Sequence, residues 1–372
     1  MPVNYGEGKG MATPDPMRIP NGLSVSEVAR RQALEQFMSA SLPWMNVVGI
    51  GSGVKWTGRQ PTGTPAVLVF VTQKFPAAAL DERDRIPAQL DDGTATDVVP
   101  VGHVSAQPDA PEVTGLTAAA QFIASSLGGP QALTRRMRPC PVGLSIGNVA
   151  VTAGTLGGVV YDFLPGASAN PPAAGIGVPS AFYVLSNNHV LAASNAAPAG
   201  SAIVQPGRAD GGQDPQDRIA TLSRFVPVQF APAVPVDQHQ NLVDCAIGQC
   251  QQIDATREIY FTGALRGWRR KADVAVGDLV RKTGRTTGTT LGRVISIDAT
   301  IDVGYGAAGT ARFKDQILTT GMSAGGDSGS LVTTLDNVAV GLLFAGSAQV
   351  TIANHFETVR ALLRVELAEQ LL

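Results

Sequence analysis

A chain of 372 residues is long enough for two or three domains and a sizeable core. A formal charge of −2, with only 16% charged residues, leaves no electrostatic footprint for nucleic acid or an acidic membrane surface. The 42 glycines and 25 prolines point to many turns and short strands rather than long helices, and an odd set of three cysteines (Cys140, Cys245, Cys250) makes no disulfide framework and reads as small buried apolar residues.

Residues 1–23 are polar and Gly/Pro-rich and read as a disordered lead. They lack the basic start and apolar stretch of a secretory signal, and no run approaches the ~20 apolar residues of a membrane span. A cytoplasmic protein without a membrane partner is the expectation. A small α+β module is expected over 24–104. Ser24-x-x-Glu27 has the form of a capping box, Val28, Leu34, Phe37, Met38 and Leu42 follow at helical spacing, and Pro43 stops the helix. Runs 47–56 and 66–73 are strand-like and joined as a hairpin; 81–90 reads as a short helix and 96–101 as a further strand. The glycines of Gly49-Ile50-Gly51-Ser52-Gly53 superficially suggest a phosphate loop. No helix follows and no Lys-Ser/Thr closes it, so a strand kink is expected.

Residues 105–138 read as a Pro/Ala/Gly-rich linker with one helix over 117–127, ending in the basic patch Arg135-Arg136-Met137-Arg138. From 139 to 372 the texture is all-β. Short runs at 144–146, 158–161, 182–185, 242–247, 279–281, 292–297, 316–319, 330–333 and 338–344 alternate with Gly, Pro and Asp turns, which points to a barrel or sandwich. Residues 163–179 are a polar insertion between two of these strands. An amphipathic helix is expected over 355–371, on Phe356, Val359, Leu362, Leu363 and Leu367.

The chemistry concentrates in Gly325-Gly326-Asp327-Ser328-Gly329-Ser330. A serine hydroxyl needs a base to take its proton, and the oxyanion it creates needs preorganised donors. In a tight glycine turn the amides of Gly326 and Ser328 could converge beside the Ser328 hydroxyl. Taken alone the string is also an ordinary turn. Of the four histidines, His189 lies where an apolar strand runs into the turn Ser186-Asn187-Asn188, which suits a cleft; His103, His239 and His355 read more easily as surface or capping residues. An acid must then hold the histidine's tautomer. Asp244 sits among Leu242, Val243, Cys245, Ala246 and Ile247, where a buried carboxylate requires a partner, and His189 supplies one. Asp237 is the reserve. No two histidines share metal-ligand spacing and there is no Cys-x-x-Cys, so neither metal nor cofactor is expected.

The order His189, Asp244, Ser328, in Ser-Asn-Asn-His-Val, Val-Asp-Cys-Ala-Ile and Gly-Gly-Asp-Ser-Gly-Ser-Leu-Val, resembles the chymotrypsin-like (trypsin-fold) serine peptidases. Lys282-Thr283-Gly284-Arg285-Thr286-Thr287-Gly288 further resembles the bacterial trypsin-like type with an N-terminal α+β module, related to plant narrow-leaf proteins. The likeness covers about 140–355 well and the N-terminal module more loosely. It implies a mainly β fold: a double six-stranded β-barrel preceded by the small α+β domain, with a C-terminal helix. His189 and Asp244 would stand on the first barrel and Ser328 on the second, cutting peptide bonds of a protein or peptide substrate through an acyl-enzyme.

The same resemblance puts the floor of the primary pocket at Met322, which cannot pair with Lys or Arg, and its opposite wall at 343–347, with Phe344 and with Gly346 able to bond an extended substrate backbone. A small or apolar residue before the cleaved bond follows; His355 and Thr351 lining the pocket would instead favour an acidic one. In the secreted digestive enzymes the counterpart of Asp327 pairs with an amine released by cleavage. Here more than a hundred residues precede the barrel with no evident activation site, so either an internal basic group holds Asp327 or the loop forms only on partner or substrate binding. The expected function is a serine endopeptidase whose N-terminal module serves regulation, recruitment of a partner protein or homo-oligomerisation. The alternative is a weakly active or latent peptide-binding scaffold on a protease fold.

Overall fold

The computed structural model describes residues 15–19, 24–39, 44, 46–58, 60–106 and 129–368. Most of the N-terminal lead, Leu42, Pro43 and the helix expected over 117–127 lie outside the described residues. The fold is mainly β, as expected, with two large curled sheets that are antiparallel but for one parallel pair.

The first sheet runs through Gly158–Asp162, Phe182–Ser186, Ala246–Cys250, Arg218–Phe225, Ala202–Val204 and Ser145–Asn148 in that spatial order. Short strands Val365–Leu367 and Gly154–Thr155 extend its two ends. Its interior is aliphatic, with Leu144, Ile146, Leu156, Val184, Leu191 and Ile203 all fully buried. The second sheet closes on itself. Leu279–Gly284, Leu331–Thr333, Ala339–Gly346, Val350–His355, Thr310–Thr320 and Gly288–Gly304 follow one another, and the last pairs back with the first. This is the second six-stranded barrel.

The strands expected in the N-terminal module join the second sheet. The hairpin, Val47–Thr57 with Gln60–Val71, and the parallel strand Thr96–Pro100 continue the sheet of the second barrel, because Gly49 and Ile50 pair with Ile301 and Thr300. The glycine run explains the join. A side chain at Gly49 would meet the Thr300 carbonyl at 2.7 Å, and one at Gly53 would meet the Ile295 carbonyl at 2.7 Å. The glycines therefore admit a neighbouring backbone, not a phosphate.

Strand periodicity then sorts both faces of the hairpin. Ala66, Leu68 and Phe70, together with Val101 and Val104, pack against Ile301, Val303, Phe313 and Phe344 of the barrel. Val67, Val69 and Val71 face the helix Glu27–Phe37 through Ala29, Ala33 and Phe37. Burying each large side chain is worth about 1.5–3 kcal/mol. Polar contacts fix the angle: Asp298 takes Arg30 at 2.6 Å and the Ser52 amide at 2.7 Å, and Arg312 grips Asp302 while donating to the Met38 carbonyl.

Several boundaries differ from the sequence reading. The helix begins at Glu27, with Ser26 rather than Ser24 as its cap, because it is the Ser26 hydroxyl that accepts from the Ala29 amide at 3.0 Å. Residues 81–90 hold only the short 3-10 turn Glu82–Asp84. The C-terminal helix stops at Leu363, where Arg364 takes a left-handed conformation (φ 55°), and Val365–Leu367 leaves as a strand. Buried Arg360 secures that exit through Glu366, bonded also by Trp268, and donates to carbonyls of Ser168 and Ala173 in the 163–179 insertion. Cys140 and Cys245 are buried, Cys250 is half-buried, and all three are free thiols. Among the described residues no helix is long and apolar enough to cross a membrane.

Because the hairpin supplies half of an apolar interface, a chain beginning at residue 129 should expose Ile301, Val303 and Phe313. Thermal melts and light scattering should show a lower melting temperature and aggregation relative to the full chain. Equal stability of the two would contradict the shared core.

Candidate active site

The turn from Ala324 to Ser330 is built by two left-handed glycines, Gly326 and Gly329, each with φ 94°. A side chain at Gly329 would collide with the Ser186 hydroxyl and the Thr155 carbonyl of the first barrel, so only glycine allows the two barrels to meet there. Thr155 sews the seam: its amide donates to the Ser328 carbonyl at 2.8 Å and its hydroxyl to the Gly326 carbonyl at 2.9 Å. Thr286 donates to the Gly325 carbonyl at 2.7 Å, and the Ser330 amide and hydroxyl donate to the Asp327 carbonyl. Since C=O and N–H point oppositely across a trans peptide, these bonds turn the Gly326 and Ser328 amides the other way. Neither amide has an acceptor among the described residues, and both residues line one cleft of about 640 Å³.

Asp327 organises this turn from beneath. It is fully buried, as is Lys282, whose ammonium lies 3.1 Å away. Lys282 also donates to the Thr287 hydroxyl and to the Gly288 carbonyl, so all three of its protons are used. The carboxylate accepts further from the amides of Thr286 (2.8 Å), Thr287 (3.1 Å) and Ala324 (3.0 Å) and from the Thr287 hydroxyl (2.6 Å). Burial pulls the Lys282 pKa below its ordinary value, and the Asp327 charge works against that shift. An internal lysine thus pairs with Asp327, and no released amine is needed.

His189 stands on the short helix Asn188–Leu191, directly after the strand Phe182–Ser186. Asp244 lies in the extended approach to Ala246–Cys250 rather than inside the strand, since its amide is taken by the Asn354 side chain at 3.0 Å instead of a ladder partner. The Asp244 carboxylate is fully buried and 2.7 Å from His189 Nδ1, and its second oxygen accepts the His189 amide at 3.2 Å. Asn187 donates to the Asp244 carbonyl at 2.7 Å.

Tyr305, which sequence reading did not single out, donates its hydroxyl to the same Asp244 oxygen at 2.7 Å. Burial, and then the Asp244 charge, push the Tyr305 phenol well above its ordinary value, so it remains a donor at neutral pH. Its ring meets His189 edge-on at 5.8 Å. No motif announces Tyr305; only the register of the long strand ending at Gly304 brings it there.

Ser328 lines the same cleft as His189, but among the described residues its hydroxyl has a different partner: it donates to the carbonyl of Ala106 at 2.9 Å. The segment Val104–Ala106 crosses this side of the cleft, with Ser105 in isolated β-bridges on both sides. Ser105 and Gly346 exchange both backbone hydrogen bonds at 3.0 Å, while Gly304 bonds Val104 and Ala106 at 3.1 Å.

The expected pocket residues divide. Gly346 bonds the chain's own Ser105. Met322 is fully buried among Val274, Val280, Val294 and Leu343, close to Gly292, and does not line the cleft. Phe344 is core, 4.6 Å from the Phe313 ring. Leu343, beside Met322, and Phe344 follow each other in one strand and enter different apolar clusters, so Met322 and Phe344 pack on opposite faces of the sheet. Thr351 holds the Met322 amide and the Ser323 hydroxyl, and His355 reaches the Ile297 carbonyl at 2.6 Å, so neither lines the cleft. Asp237 is exposed, His239 is buried against Arg312, and His103 is exposed, all away from Asp244. Among the described residues no cluster of His, Cys, Asp and Glu is arranged to hold a metal.

No family model matches the sequence, and no curated protein does. Among solved structures the chain is similar to protease A of Thermobifida fusca, with 17% identity and a TM-score of 0.41 over 62% of this chain and 98% of that one. It is similar also to a glutamic acid-specific serine protease (19%, TM-score 0.40, 61% and 99%) and to Cellulomonas bogoriensis chymotrypsin (16%, TM-score 0.40, 62% and 98%).

Two measurements follow from these contacts. Replacing Lys282 by Met leaves a buried carboxylate without its cation and should cost about 3–5 kcal/mol in denaturant melts, with partial recovery in Lys282→Met/Asp327→Asn; an unchanged midpoint would show that the amides alone suffice. Burial holds the His355 pKa below 6.5. The folded state therefore binds this proton less readily than the unfolded one, and stability falls as pH drops below about 6.5. Between pH 7 and 5 the unfolding free energy of His355→Gln should vary less steeply than that of the parent, and parallel slopes would remove His355 from the account.

Proposed function

We propose that the protein is a serine endopeptidase. Ser328 is the nucleophile, His189 takes its proton and returns it to the leaving amine, and Asp244 holds His189 in the tautomer with Nδ1 protonated. The amides of Gly326 and Ser328 receive the oxyanion. The observation that carries this reading is the buried carboxylate on His189 Nδ1 at 2.7 Å, across a single cleft from a serine flanked by two acceptor-free amides. A structural Asp–His pair has no need of that serine turn.

Tyr305 is a positioning residue in this scheme. By donating to the oxygen that holds His189, it keeps the carboxylate pointed at the ring through the transfer of charge to imidazolium. Protein or peptide substrates in the cytoplasm, met through the sheet extension at 47–100, complete the reading.

Latency has one specific observation in its favour, the Ser328 hydroxyl turned to Ala106 rather than to His189. In the latent reading the segment 104–106 stands over one side of the site and holds the Ser328 hydroxyl away from His189.

A fluorophosphonate probe should form one adduct, on Ser328 by peptide mass mapping, and none in Ser328→Ala. No adduct in the parent or in a chain whose 104–106 strand is loosened by Ser105→Pro would sink the peptidase reading. Tyr305→Phe should lower kcat roughly tenfold with little change in KM, the scale of one hydrogen bond to a charged group. A change confined to KM would assign Tyr305 to substrate binding instead.

A further inference from the structure

The main chain of Asp244 is held from both barrels. Its carbonyl accepts from the Asn187 side chain, at the end of a first-barrel strand, at 2.7 Å. Its amide donates to Asn354 Oδ1, on the second-barrel strand Val350–His355, at 3.0 Å. Asn354 has support of its own. Its Nδ2 donates to Gln316 Oε1 at 2.7 Å, and Gln316 Nε2 donates to the carbonyls of Leu242, at 2.9 Å, and Lys314. Gln316 and Asn354 stand opposite each other across the strands Thr310–Thr320 and Val350–His355, and both are fully buried. The run leading to Asp244 is tied to the same barrel at Asn241, whose carbonyl accepts the Lys314 amide at 2.9 Å.

Two amide side chains in a barrel interior are costly unless their polar atoms are paired. The partners here admit one orientation. Turned over, Asn354 would set its Nδ2 against the Asp244 amide, donor to donor, and its Oδ1 against Gln316 Oε1, acceptor to acceptor. The flanking positions Ile317 and Ala353 are apolar and pack in the core, as a strand that serves only the core requires. The amide pair instead spends its bonds on the 242–244 run, at the Leu242 carbonyl and the Asp244 amide on either side of Val243. An aspartate anchored at its carbonyl alone can swing about that point and carry its carboxylate with it. The bond to Asn354 removes the swing and fixes the oxygen that lies 2.7 Å from His189 Nδ1.

We propose that Asn354, backed by Gln316, is a positioning residue for catalysis. It sets the Asp244 carboxylate, and through it the His189 ring, in register with Ser328, which the same barrel carries; the proposal rests on the peptidase reading above. Neither amide lines the cleft, so neither meets substrate. The role is distinct from that of Tyr305, which bonds the carboxylate oxygen, whereas Asn354 bonds the backbone that bears it. Misplacing a catalytic group by about 1 Å can cost on the order of a hundredfold in rate, so one buried amide far from the substrate has a large effect.

Saturation kinetics of fluorophosphonate labelling on the full chain, with each rate divided by the folded fraction from circular dichroism, test this. In Asn354→Leu the limiting rate should fall at least about tenfold, the scale of a lost positioning hydrogen bond, with the half-saturating probe concentration unchanged. Gln316→Met/Asn354→Leu replaces both partners by apolar groups of similar shape and decides the matter where the single variant does not fold. It should be no slower than Asn354→Leu, because the two amides act through one contact. Ile317→Val, a core change beside Gln316, should lose stability and keep the parental rate. Folded variants that label at the parental rate, or that change only the half-saturating concentration, overturn the positioning role and leave the peptidase reading standing. No labelling in the parent or in Ser105→Pro overturns both.

Discussion

The site depends on one buried ion pair. Lys282 and Asp327 are both withdrawn from water, and burying two charges is unfavourable unless geometry and further hydrogen bonds compensate. Here every proton of the ammonium is used, and the carboxylate collects three amides and a hydroxyl besides. A carboxylate so committed cannot drift, and the chain around it has one arrangement. Gly325, Gly326 and Asp327 then have their carbonyls tied to Thr286, Thr155 and Ser330, which leaves the amides of Gly326 and Ser328 facing the cleft. Because the lysine comes from a strand of the same barrel, the turn is formed in the uncut chain.

The barrels contribute unequally to what surrounds that turn. The first presents a carboxylate–imidazole pair at the end of one strand and the approach to another. The second presents the serine and, at the end of its longest strand, Tyr305. Arg285 of the second barrel takes Asp210 of the first in a two-pronged bond, and Gly329 lets the backbones approach, so the halves of the site are held across the seam. The N-terminal strands thicken the second barrel through a shared core, and the segment leaving that core runs directly into the cleft. Formation of the site and access to it are thus separate properties. Lys282 governs the first and residues 104–106 the second.

Much of this was legible in the sequence where chemistry needs unusual residues in unusual company. An aspartate among apolar neighbours required a partner, and His189 is that partner. Glycines flanking Ser328 marked a turn that no side chain would tolerate. An internal basic partner for Asp327 was one expectation, but no local pattern named Lys282, and the strand expected over 279–281 stops short of it. Tyr305 and Ala106 were hidden for a physical reason: each reaches the site through register and long-range strand pairing, which leave no local pattern. The same holds for Met322 and Phe344, which the resemblance placed at the pocket and the fold packs into two separate apolar clusters. The Gly49–Gly53 run was read correctly as strand, while its pairing partner, Gly288–Gly304, came only from the fold.

The central claim is that a preformed turn, held by Lys282 and Asp327, aims two amides at the reaction centre of Ser328. The most direct measurement is a crystal structure of the phosphonylated protein. The account predicts phosphorus on Ser328 Oγ, its free oxygen accepting from the amides of Gly326 and Ser328, His189 still on Asp244, and the Lys282–Asp327 pair undisturbed. An adduct whose oxygen points away from those amides, or a turn rebuilt with Lys282 displaced, would contradict it.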